Sequence, residues 1–321
     1  MSLEIILMEP GLSLGKNGET MEIRKEGKVL EQVPLHRILT VTVGHGGSLS
    51  TDLLAALADQ GTTLLVQDGA GRPCAVLGSA VPWAGAEVRR AQALAHTRAS
   101  GLRVARALLA AKLTHQARLQ RYWASGLPHD LQRSRLLACA EDILGRIPSL
   151  AKAEGRQDLM VIEAQAARRH WDAVSCMVPF TERAYPRAPD LVNRLLNYGY
   201  AVLSRTWLQL ALQAGLDPNL GVLHADRPGR PGLVLDLMEP WRPWVDRAVV
   251  GLIRRRLTLE AEGEGLDGPT RYRLLDAIQQ TIRAKPAGQV WPLRTLWLRS
   301  ARRLAHAFVH DQSWQPPLVH L

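Results

Sequence analysis

The segment at 38–67, ILTVTVGHGGSLSTDLLAALADQGTTLLVQ, contains the change of hydrophobic period that decides the fold. Its first six residues are a β-branched run that predicts a buried strand, and GHGG closes that run. Ser50-Thr51-Asp52 then caps a short apolar stretch, which predicts a helix ending at Gly61. Residues 62–67 return to a strand pattern. The segment therefore predicts a β-domain with one inserted helix.

The residues on both sides of this segment extend the sheet. Lys16-Asn17-Gly18-Glu19 contains Asn-Gly, the strongest short hairpin signal, and Glu26-Gly27 marks a second turn. After 67, Asp68-Gly69-Ala70-Gly71 turns the chain toward a final strand at 74–77. Residues 1–80 are thus predicted to form a small, mostly antiparallel β-domain.

Beyond 80 the alternating pattern disappears. Residues 81–90, which follow Ser79-Ala80 and include Pro82 and Gly85, are the predicted linker, and 91–321 are predicted to be an all-α domain. Its helical patterns cover 94–122, 131–147, 150–171, 190–214, 233–259, 268–284 and 293–309. Residues 314–318 cannot be helical because they contain Pro316 and Pro317, and they are expected to be loose. The fold class predicted is α+β with two domains.

The chain is strongly basic, with a formal net charge of +10 and a sequence pI near 10.1. Nearly all of the excess is arginine, whose fork suits bidentate phosphate contacts. The balance favours a polyanionic partner such as nucleic acid. Codon usage in a GC-rich genome explains the arginine content equally well.

Three classes of protein are disfavoured by composition. Every apolar stretch is interrupted well before the ~20 residues that a membrane span requires. The N-terminus lacks the basic region and longer apolar run of a signal peptide. Cys74, Cys139 and Cys176 are scattered and form no CxxC pair, so they are interpreted as buried hydrophobes in a reducing cytoplasm rather than as a zinc site.

The most unusual segment is GVLHADRPGRPGLVLDLMEPWRP at 221–243. Asp236 and Glu239 stand at i and i+3 on an otherwise apolar helix, close enough to share a cation. Acids in such a run must be paired, protonated or bound to metal. The alternative is a surface stripe paired with Arg242 and Arg230. For His224 taken alone, a hydrogen-bonded core position is the commoner role.

Two further helical segments carry polar groups of interest. Glu163 stands before small residues in IEAQAARRHW at 162–171, which leaves room for a bulky ligand. Its alternative role is an exposed ion pair with Arg169 or Arg156. Asn193 and Asn197 lie one turn apart, where their amides could order neighbouring carboxylates or simply hydrogen-bond within a helix bundle.

Taken together, these segments resemble the universal CRISPR adaptation integrase, the first of the CRISPR-associated proteins. The resemblance covers nearly the full chain. Its motifs are EPGLSLGKNGETMEIRKEGKVLEQVPL at 9–35, SLSTDLLAALADQGTTLLVQD at 48–68, IEAQAARRHW at 162–171, PDLVNRLLNYGYAVL at 189–203 and LGVLHADRPGRPGLVLDLMEPWRP at 220–243. It implies an N-terminal β-domain that makes a homodimer and a C-terminal α-helical catalytic domain.

By motif, the resemblance implies that Glu163, His224 and Glu239 are metal ligands, with Asp236 as an accompanying acid beside the metal. One imidazole with carboxylates and no thiolate favours Mn²⁺ or Mg²⁺. Two positions depart from the family pattern, because His170 often corresponds to Tyr and Gly232 usually to Ser. Neither is a ligand position. Arg227 and Arg230, which bracket the histidine loop, are the candidates for phosphate contact.

The function implied is a cytoplasmic, metal-dependent DNA endonuclease and integrase of antiviral defence. Dimers would join the small second CRISPR-associated protein, bind double-stranded and branched DNA, and insert foreign fragments into the CRISPR array by 3′-hydroxyl attack on a phosphodiester. One alternative is a catalytically silent DNA-binding scaffold of the same fold. Another is a metal hydrolase of a different substrate, although the chain lacks HExxH.

Overall fold

A computed structural model describes residues 3–68, 73–78, 86–128, 130–186, 188, 190–225 and 227–320. The chain divides into two compact units, Met1–Ala86 and Glu87–Leu321. A strand-rich region is followed by a helical one, so the predicted α+β class is confirmed. Half of the predicted linker, residues 81–85, lies outside the described residues, and the other half, residues 86–90, begins a helix.

The first unit contains eight described strands and one α-helix. The strands are β1 (Leu3–Leu7), β2 (Leu12–Asn17), β3 (Thr20–Lys25), β4 (Lys28–Pro34), β5 (Ile38–Val43), β6 (Ser48–Leu49), β7 (Thr63–Gln67) and β8 (Pro73–Leu77). The helix α1 (Thr51–Asp59) begins where predicted, because the Ser50 side chain accepts a hydrogen bond from the Leu53 N–H. Asn17-Gly18 forms the β2–β3 turn, and Gly18 has φ 54° there.

The strands form two four-stranded sheets, in the orders β1-β5-β7-β8 and β4-β3-β2-β6. Of the six pairings between described strands of this unit, three are antiparallel and three are parallel. Parallel pairing is therefore more frequent than the sequence predicts. One of the three parallel pairings, β5 with β7, follows from the crossover through α1, because a helix between two strands can return the chain in the same direction. Met21, Val41 and Leu53 are fully buried in the core of this unit.

The second unit is built from ten α-helices among the described residues. They are α2 (Ala86–Ala95), α3 (Ala99–Ser125), α4 (Leu131–Gly145), α5 (Ile147–Lys152), α6 (Arg156–Met177), α7 (Leu191–Gln213), α8 (Gly232–Met238), α9 (Arg242–Arg254), α10 (Gly268–Arg283) and α11 (Leu293–Val309). No described helix meets the length and hydropathy needed to cross a membrane.

The helix boundaries differ from the sequence prediction where proline is present. Pro148 does not simply end a helix but lies in the first turn of α5, where its missing N–H is not needed. The continuous helix predicted over 233–259 is divided by a 3-10 turn, Glu239–Trp241, which contains Pro240. The unit is also not purely helical, since β9 (Ala261–Glu262) and β10 (Gly265–Leu266) form a small hairpin.

The segment after α11 is packed rather than loose. It contains no helix, as predicted, but Trp314 is only 6% exposed and its indole N–H donates to the Ser300 carbonyl at 3.0 Å. Val319 is fully buried. The segment is therefore held in place by its buried aromatic and apolar side chains, although it has no regular secondary structure.

Candidate active site

The loop that carries His224 is folded around the carboxylate of Asp236. Asp236 lies in α8 and is 0% exposed. Its oxygens accept the backbone N–H groups of Val222, Leu223 and His224 at 2.5, 2.9 and 2.9 Å. A buried carboxylate with three backbone donors holds the loop in one conformation.

The same carboxylate orients the imidazole of His224. The Nδ1–H of His224 donates to Asp236 Oδ1 at 2.7 Å, while the side chain remains 17% exposed. Nε2 is thereby the ring nitrogen left for another partner. A carboxylate behind a histidine is the usual arrangement for a metal-binding imidazole, because it fixes the ring and its tautomer.

Two glycines allow the loop to approach α8 this closely. A Cβ at Gly221 would lie 2.9 Å from the Gly232 carbonyl carbon and 3.0 Å from Asp236 Oδ2. A Cβ at Gly232 would lie 2.9 Å from the Asn219 carbonyl oxygen. Gly232 therefore belongs to a backbone contact that a side chain would crowd.

Glu239 lies in the 3-10 turn after α8 and is clamped by two cationic side chains. Its Oε2 accepts a hydrogen bond from Lys112 Nζ at 2.6 Å, and its Oε1 accepts one from Arg242 Nε at 2.8 Å. Glu239 is 5% exposed. Burial opposes its ionisation, but the charges of Arg242, Lys112 and His224 outweigh burial and lower the pKa of Glu239 to about 2.

Lys112 brings Glu163 into the same cluster. Lys112 lies on α3, Glu163 lies on α6, and Lys112 Nζ also donates to Glu163 Oε1. Burial acts against the ammonium, but the carboxylates of Glu239 and Glu163 prevail and raise the pKa of Lys112. Two carboxylates from different helices thus converge on one cation.

The predicted site residues consequently fall into two adjacent pairs. Glu163 and Glu239 share Lys112, His224 pairs with Asp236, and the charge of His224 acts on Glu239. Within the described ranges, no three His, Cys, Asp or Glu side chains are already arranged to hold a metal ion. Asp236, expected as the accompanying acid beside the metal, has both of its oxygens engaged in hydrogen bonds with the histidine loop.

Arg227 and Arg230 lie on the exposed end of the histidine loop. The Arg230 N–H donates to the Arg227 carbonyl at 3.1 Å, and Gly229 between them has φ 72°. Both arginines are exposed. Asp226, the neighbouring acid of the motif, lies outside the described residues. The tight turn presents the two side chains on the surface.

The sequence pattern did not identify Lys112 and Arg242 as partners of the site. Arg242 follows Glu239 by three positions, a spacing that allows an ion pair within one turn and was considered only as an alternative. Lys112 is one of only six lysines in the chain and lies in an alanine- and leucine-rich helix. Lys112 follows the apolar run Ala107–Ala111 of this helix, and a lysine directly after such a run is a signal that could have been recognised.

A second buried network lies behind Arg242. The Arg242 guanidinium carbon stacks 4.4 Å from the ring centroid of Tyr200, whose hydroxyl donates to Asp246 Oδ1 at 2.5 Å. Asp246 Oδ2 accepts a hydrogen bond from His170 Nε2 at 2.9 Å. Burial and the Asp246 carboxylate raise the pKa of Tyr200 well above its usual value. His170, where the family often has Tyr, thus has a buried polar partner.

His115 connects the turn of Glu239 to the segment after α11. Its Nδ1–H donates to the Pro240 carbonyl at 2.8 Å, and its Nε2 accepts the Val319 N–H at 3.3 Å. These two bonds require the neutral ring with the proton on Nδ1. Burial lowers the pKa of His115 to about 3, which agrees with that tautomer.

The protein is basic, and its helical unit gathers two carboxylates and a histidine. This combination is typical of enzymes that act on phosphodiesters. The chain belongs to the CRISPR associated protein Cas1 family, because the model of that family matches residues 5–283.

The relatives extend over almost the whole chain. The CRISPR-associated endonuclease Cas1 2 of Pyrobaculum aerophilum is 34% identical over 307 residues, which cover 95% of this chain and 99% of that protein. Two solved structures share the fold. A casposase bound to integration product has a TM-score of 0.78 at 20% identity, covering 98% of this chain and 92% of its own. A Cas6-RT-Cas1–Cas2 complex has a TM-score of 0.79 at 18% identity, covering 99% of this chain and 36% of its own.

Proposed function

We propose that this chain is the integrase of CRISPR adaptation, a metal-dependent endonuclease and transesterase that inserts foreign DNA fragments into the CRISPR array. The observation that carries the proposal is the convergence of Glu163 and Glu239 on one cation, beside a histidine oriented by a buried carboxylate. Family membership supports it, as do the names of relatives that are endonucleases and of a neighbour bound to an integration product.

The residues present fit a divalent metal ion. The Lys112 ammonium lies between two carboxylates, so this position already attracts positive charge. The donors would be one oxygen each from Glu163 and Glu239 and the Nε2 of His224, with Asp236 orienting the imidazole. Carboxylates and one imidazole without thiolate favour Mn²⁺ or Mg²⁺ over a structural zinc site.

When bound, the ion would lower the pKa of the attacking 3′-hydroxyl and neutralise charge on the phosphate. The protein's own groups prepare the site. Arg242 holds Glu239 ionised and fixes its Oε1, while Asp236 binds the Nδ1 side of His224 and so fixes the orientation of the ring. No side chain need act as a covalent nucleophile, because the DNA supplies the 3′-oxygen that attacks and the 3′-oxygen that leaves.

Double-stranded and branched DNA are the proposed substrates, and Arg227 and Arg230 are proposed to contact backbone phosphates. Both are exposed on the loop that carries His224, and the chain has a net charge of +10. We further propose a homodimer made by the N-terminal β-domain and assembly with the small second CRISPR-associated protein. The fold shared with the Cas1 part of a Cas1–Cas2 complex supports the second partner.

Strand joining tests this function directly. A fluorescent duplex with a free 3′-hydroxyl is incubated with an array-like duplex in Mn²⁺, and joined product is resolved on a denaturing gel. Glu163→Gln and Glu239→Gln should each reduce joining at least about a hundredfold. Glu141→Gln, an exposed residue of α4 paired only with exposed Arg121, is the matched control and should retain activity. Circular dichroism checks that each variant is folded.

The same assay separates the proposal from the scaffold alternative. A wild-type protein that binds the DNA but neither nicks nor joins it in Mn²⁺ or Mg²⁺ would support a silent scaffold. Full joining by Glu239→Gln would contradict the site assignment while leaving the family intact.

A further inference from the structure

Arg183 lies in the connection between α6 and α7 and is held by two asparagine side chains. Its Nη1 donates to Asn193 Oδ1 at 2.9 Å and to the Ala184 carbonyl, and its Nη2 donates to Asn197 Oδ1 at 2.5 Å. Asn193 and Asn197 lie one turn apart on α7. The guanidinium is therefore fixed at both of its terminal nitrogens.

The orientation of the Asn193 amide is determined by its other partners. Its Nδ2 donates to the Glu182 carbonyl at 2.9 Å and to Asp190 Oδ2 at 2.7 Å, while its Oδ1 also accepts the Ala184 N–H at 2.9 Å. Asn193 is 0% exposed. The oxygen that faces Arg183 is thus assigned by a complete set of donors and acceptors.

Two aromatic rings lie near the guanidinium of Arg183. The Arg183 Cζ lies 5.5 Å from the Tyr200 ring centroid and 6.0 Å from the Trp171 ring centroid. Burial lowers the pKa of Arg183 and the charge of Arg242 acts in the same direction, whereas Tyr200 and the Asp246 carboxylate act against them. Holding a cation in this half-buried position is unfavourable unless a negative charge compensates it.

Within the described part of the chain, Arg183 forms no ion pair with a carboxylate. Its hydrogen-bond acceptors are neutral amide and peptide oxygens, which satisfy the N–H groups but leave the charge in place. Arg242 shows the contrast, since Glu239 neutralises it at 2.8 Å. Asp190, the residue before α7, is bound by Asn193 instead.

One edge of the guanidinium remains available. Two of its five N–H groups, on Nε and Nη2, have no acceptor among the described residues, and the Nε is not among the buried unpaired nitrogens, so it reaches solvent. This is the edge that binds a phosphate with two parallel hydrogen bonds. The Cζ atoms of Arg183 and Arg242 lie 5.5 and 4.4 Å from the same Tyr200 ring centroid, so Arg183 lies in the neighbourhood of the cluster of Glu239.

We propose that Arg183 is a binding site for a DNA backbone phosphate next to the reacting phosphodiester, presented by Asn193 and Asn197. This inference rests on the proposed function, since it names a further contact with the same substrate. In this proposal the neutral amides of Asn193 and Asn197 hold the guanidinium in place without neutralising its charge, so the charge can bind the phosphate. If Arg183 had only a structural role, a carboxylate in place of one asparagine would stabilise it as well or better.

Asn197→Asp distinguishes the two roles. The substitution is isosteric and places a carboxylate oxygen at the position that now accepts from Nη2, so it neutralises Arg183 without removing it. A structural role predicts equal or greater thermal stability with unchanged DNA binding. The phosphate-binding role predicts equal or greater stability with weaker DNA binding. Gln315→Glu, which adds one negative charge to an exposed position after α11, is the control.

Binding of a fluorescein-labelled branched DNA is measured by fluorescence anisotropy in EDTA, where metal-dependent cleavage does not interfere. Arg183→Gln and Asn197→Asp should each weaken binding at least about tenfold, and Arg183→Lys less. The slope of log K against log salt should decrease in magnitude by about 0.9 for Arg183→Gln. Gln315→Glu should bind like wild type.

The outcomes separate this inference from the function on which it rests. Wild-type affinity and joining in both Asn197→Asp and Arg183→Gln would overturn the phosphate site alone. A wild-type protein that binds the branched DNA no better than serum albumin does and joins none of it would overturn the proposed function, and this inference with it. Loss of binding in Asn197→Asp at undiminished melting temperature supports the phosphate site.

Discussion

Asp236 accepts a hydrogen bond of 2.7 Å from the imidazole Nδ1 of His224. It is one of four hydrogen bonds that this carboxylate accepts. The other three come from consecutive backbone N–H groups, so one buried carboxylate fixes both the loop and the ring that it carries. The histidine is positioned by the protein before any ligand arrives.

Asp236→Asn should therefore weaken the site without touching a proposed metal ligand. The asparagine amide has one oxygen where the carboxylate has two. Its NH₂ group cannot accept a hydrogen bond, so some of the N–H groups that now donate to Asp236 would be left without an acceptor. We expect the Mn²⁺ concentration for half-maximal joining to rise by about 10–100-fold. Titration of joining against Mn²⁺ measures this, with Asp276→Asn, an exposed residue of α10, as control. An unchanged Mn²⁺ requirement would contradict the orienting role.

Lys112→Met should destabilise the protein in a way that a divalent ion reverses. The variant leaves Glu163 and Glu239 facing each other without the ammonium, and breaking a buried pair costs about 3–5 kcal/mol. Thermal unfolding should show a lower melting temperature in EDTA and a larger rise on addition of Mn²⁺ than wild type shows. Lys152→Met, exposed on α5, should respond as wild type does. A rise no larger than that of wild type would mean that these carboxylates do not bind the ion.

Gly221→Ala should disturb the same region through the backbone. The new Cβ would lie 2.9 Å from the Gly232 carbonyl carbon and 3.0 Å from Asp236 Oδ2, where neither neighbour can easily move. We expect a loss of about 1–3 kcal/mol in the free energy of unfolding, measured by urea denaturation, together with reduced joining. Gly145→Ala is the control, because its Cβ would meet no atom within 4 Å.

His115 should make stability depend on pH in the mildly acidic range. Its pKa is about 3 in the folded protein and 6.5 in the reference state, so the unfolded chain binds the proton first. Its contribution is complete above pH 6.5 and is lost as pH falls toward 3, by about 1.4 kcal/mol per unit at most. In urea denaturation at pH 7, 6 and 5, the advantage of wild type over His115→Gln should shrink steadily. A constant difference would show that His115 does not titrate on unfolding.

Glu239 should also make stability fall as pH falls, but in a lower pH range than His115. Its pKa of about 2 lies below the reference value of 4.5, so its stabilisation is present above pH 4.5 and is lost as pH falls toward 2. The difference corresponds to roughly 3 kcal/mol. Glu239→Gln should therefore flatten the acid limb of the stability curve below pH 4.5, whereas Glu141→Gln should not. Acid-induced unfolding followed by circular dichroism measures both.

Local sequence signals were sufficient for the elements but not for the contacts of the site. The Asn17-Gly18 hairpin and the Ser50 cap form where predicted, because each depends on residues adjacent in the chain. Asp236 and Glu239, at i and i+3, were expected to share a cation. In the structure Asp236 is bonded to the histidine loop, and Glu239, in the 3-10 turn that follows, is bonded to Lys112 and Arg242.

The partners that complete the site come from distant parts of the chain. Lys112 is 51 positions from Glu163 and 127 from Glu239, and His115 is 204 from Val319. No periodicity within one element could bring these residues together. The arrangement of Arg183 between Asn193 and Asn197 was missed for the same reason, although the one-turn spacing of the two asparagines was noticed.

The charges around Glu239 nearly cancel, since Glu163 and Glu239 face Lys112 and Arg242. A divalent ion added to such a cluster gives it a positive excess, and a phosphodiester would remove part of that excess. Metal and DNA would then be cooperative ligands, each raising the affinity for the other by the same factor. The affinity for Mn²⁺ measured on free protein should accordingly understate the affinity in the DNA complex, and the cofactor would be retained most firmly when there is a strand to join.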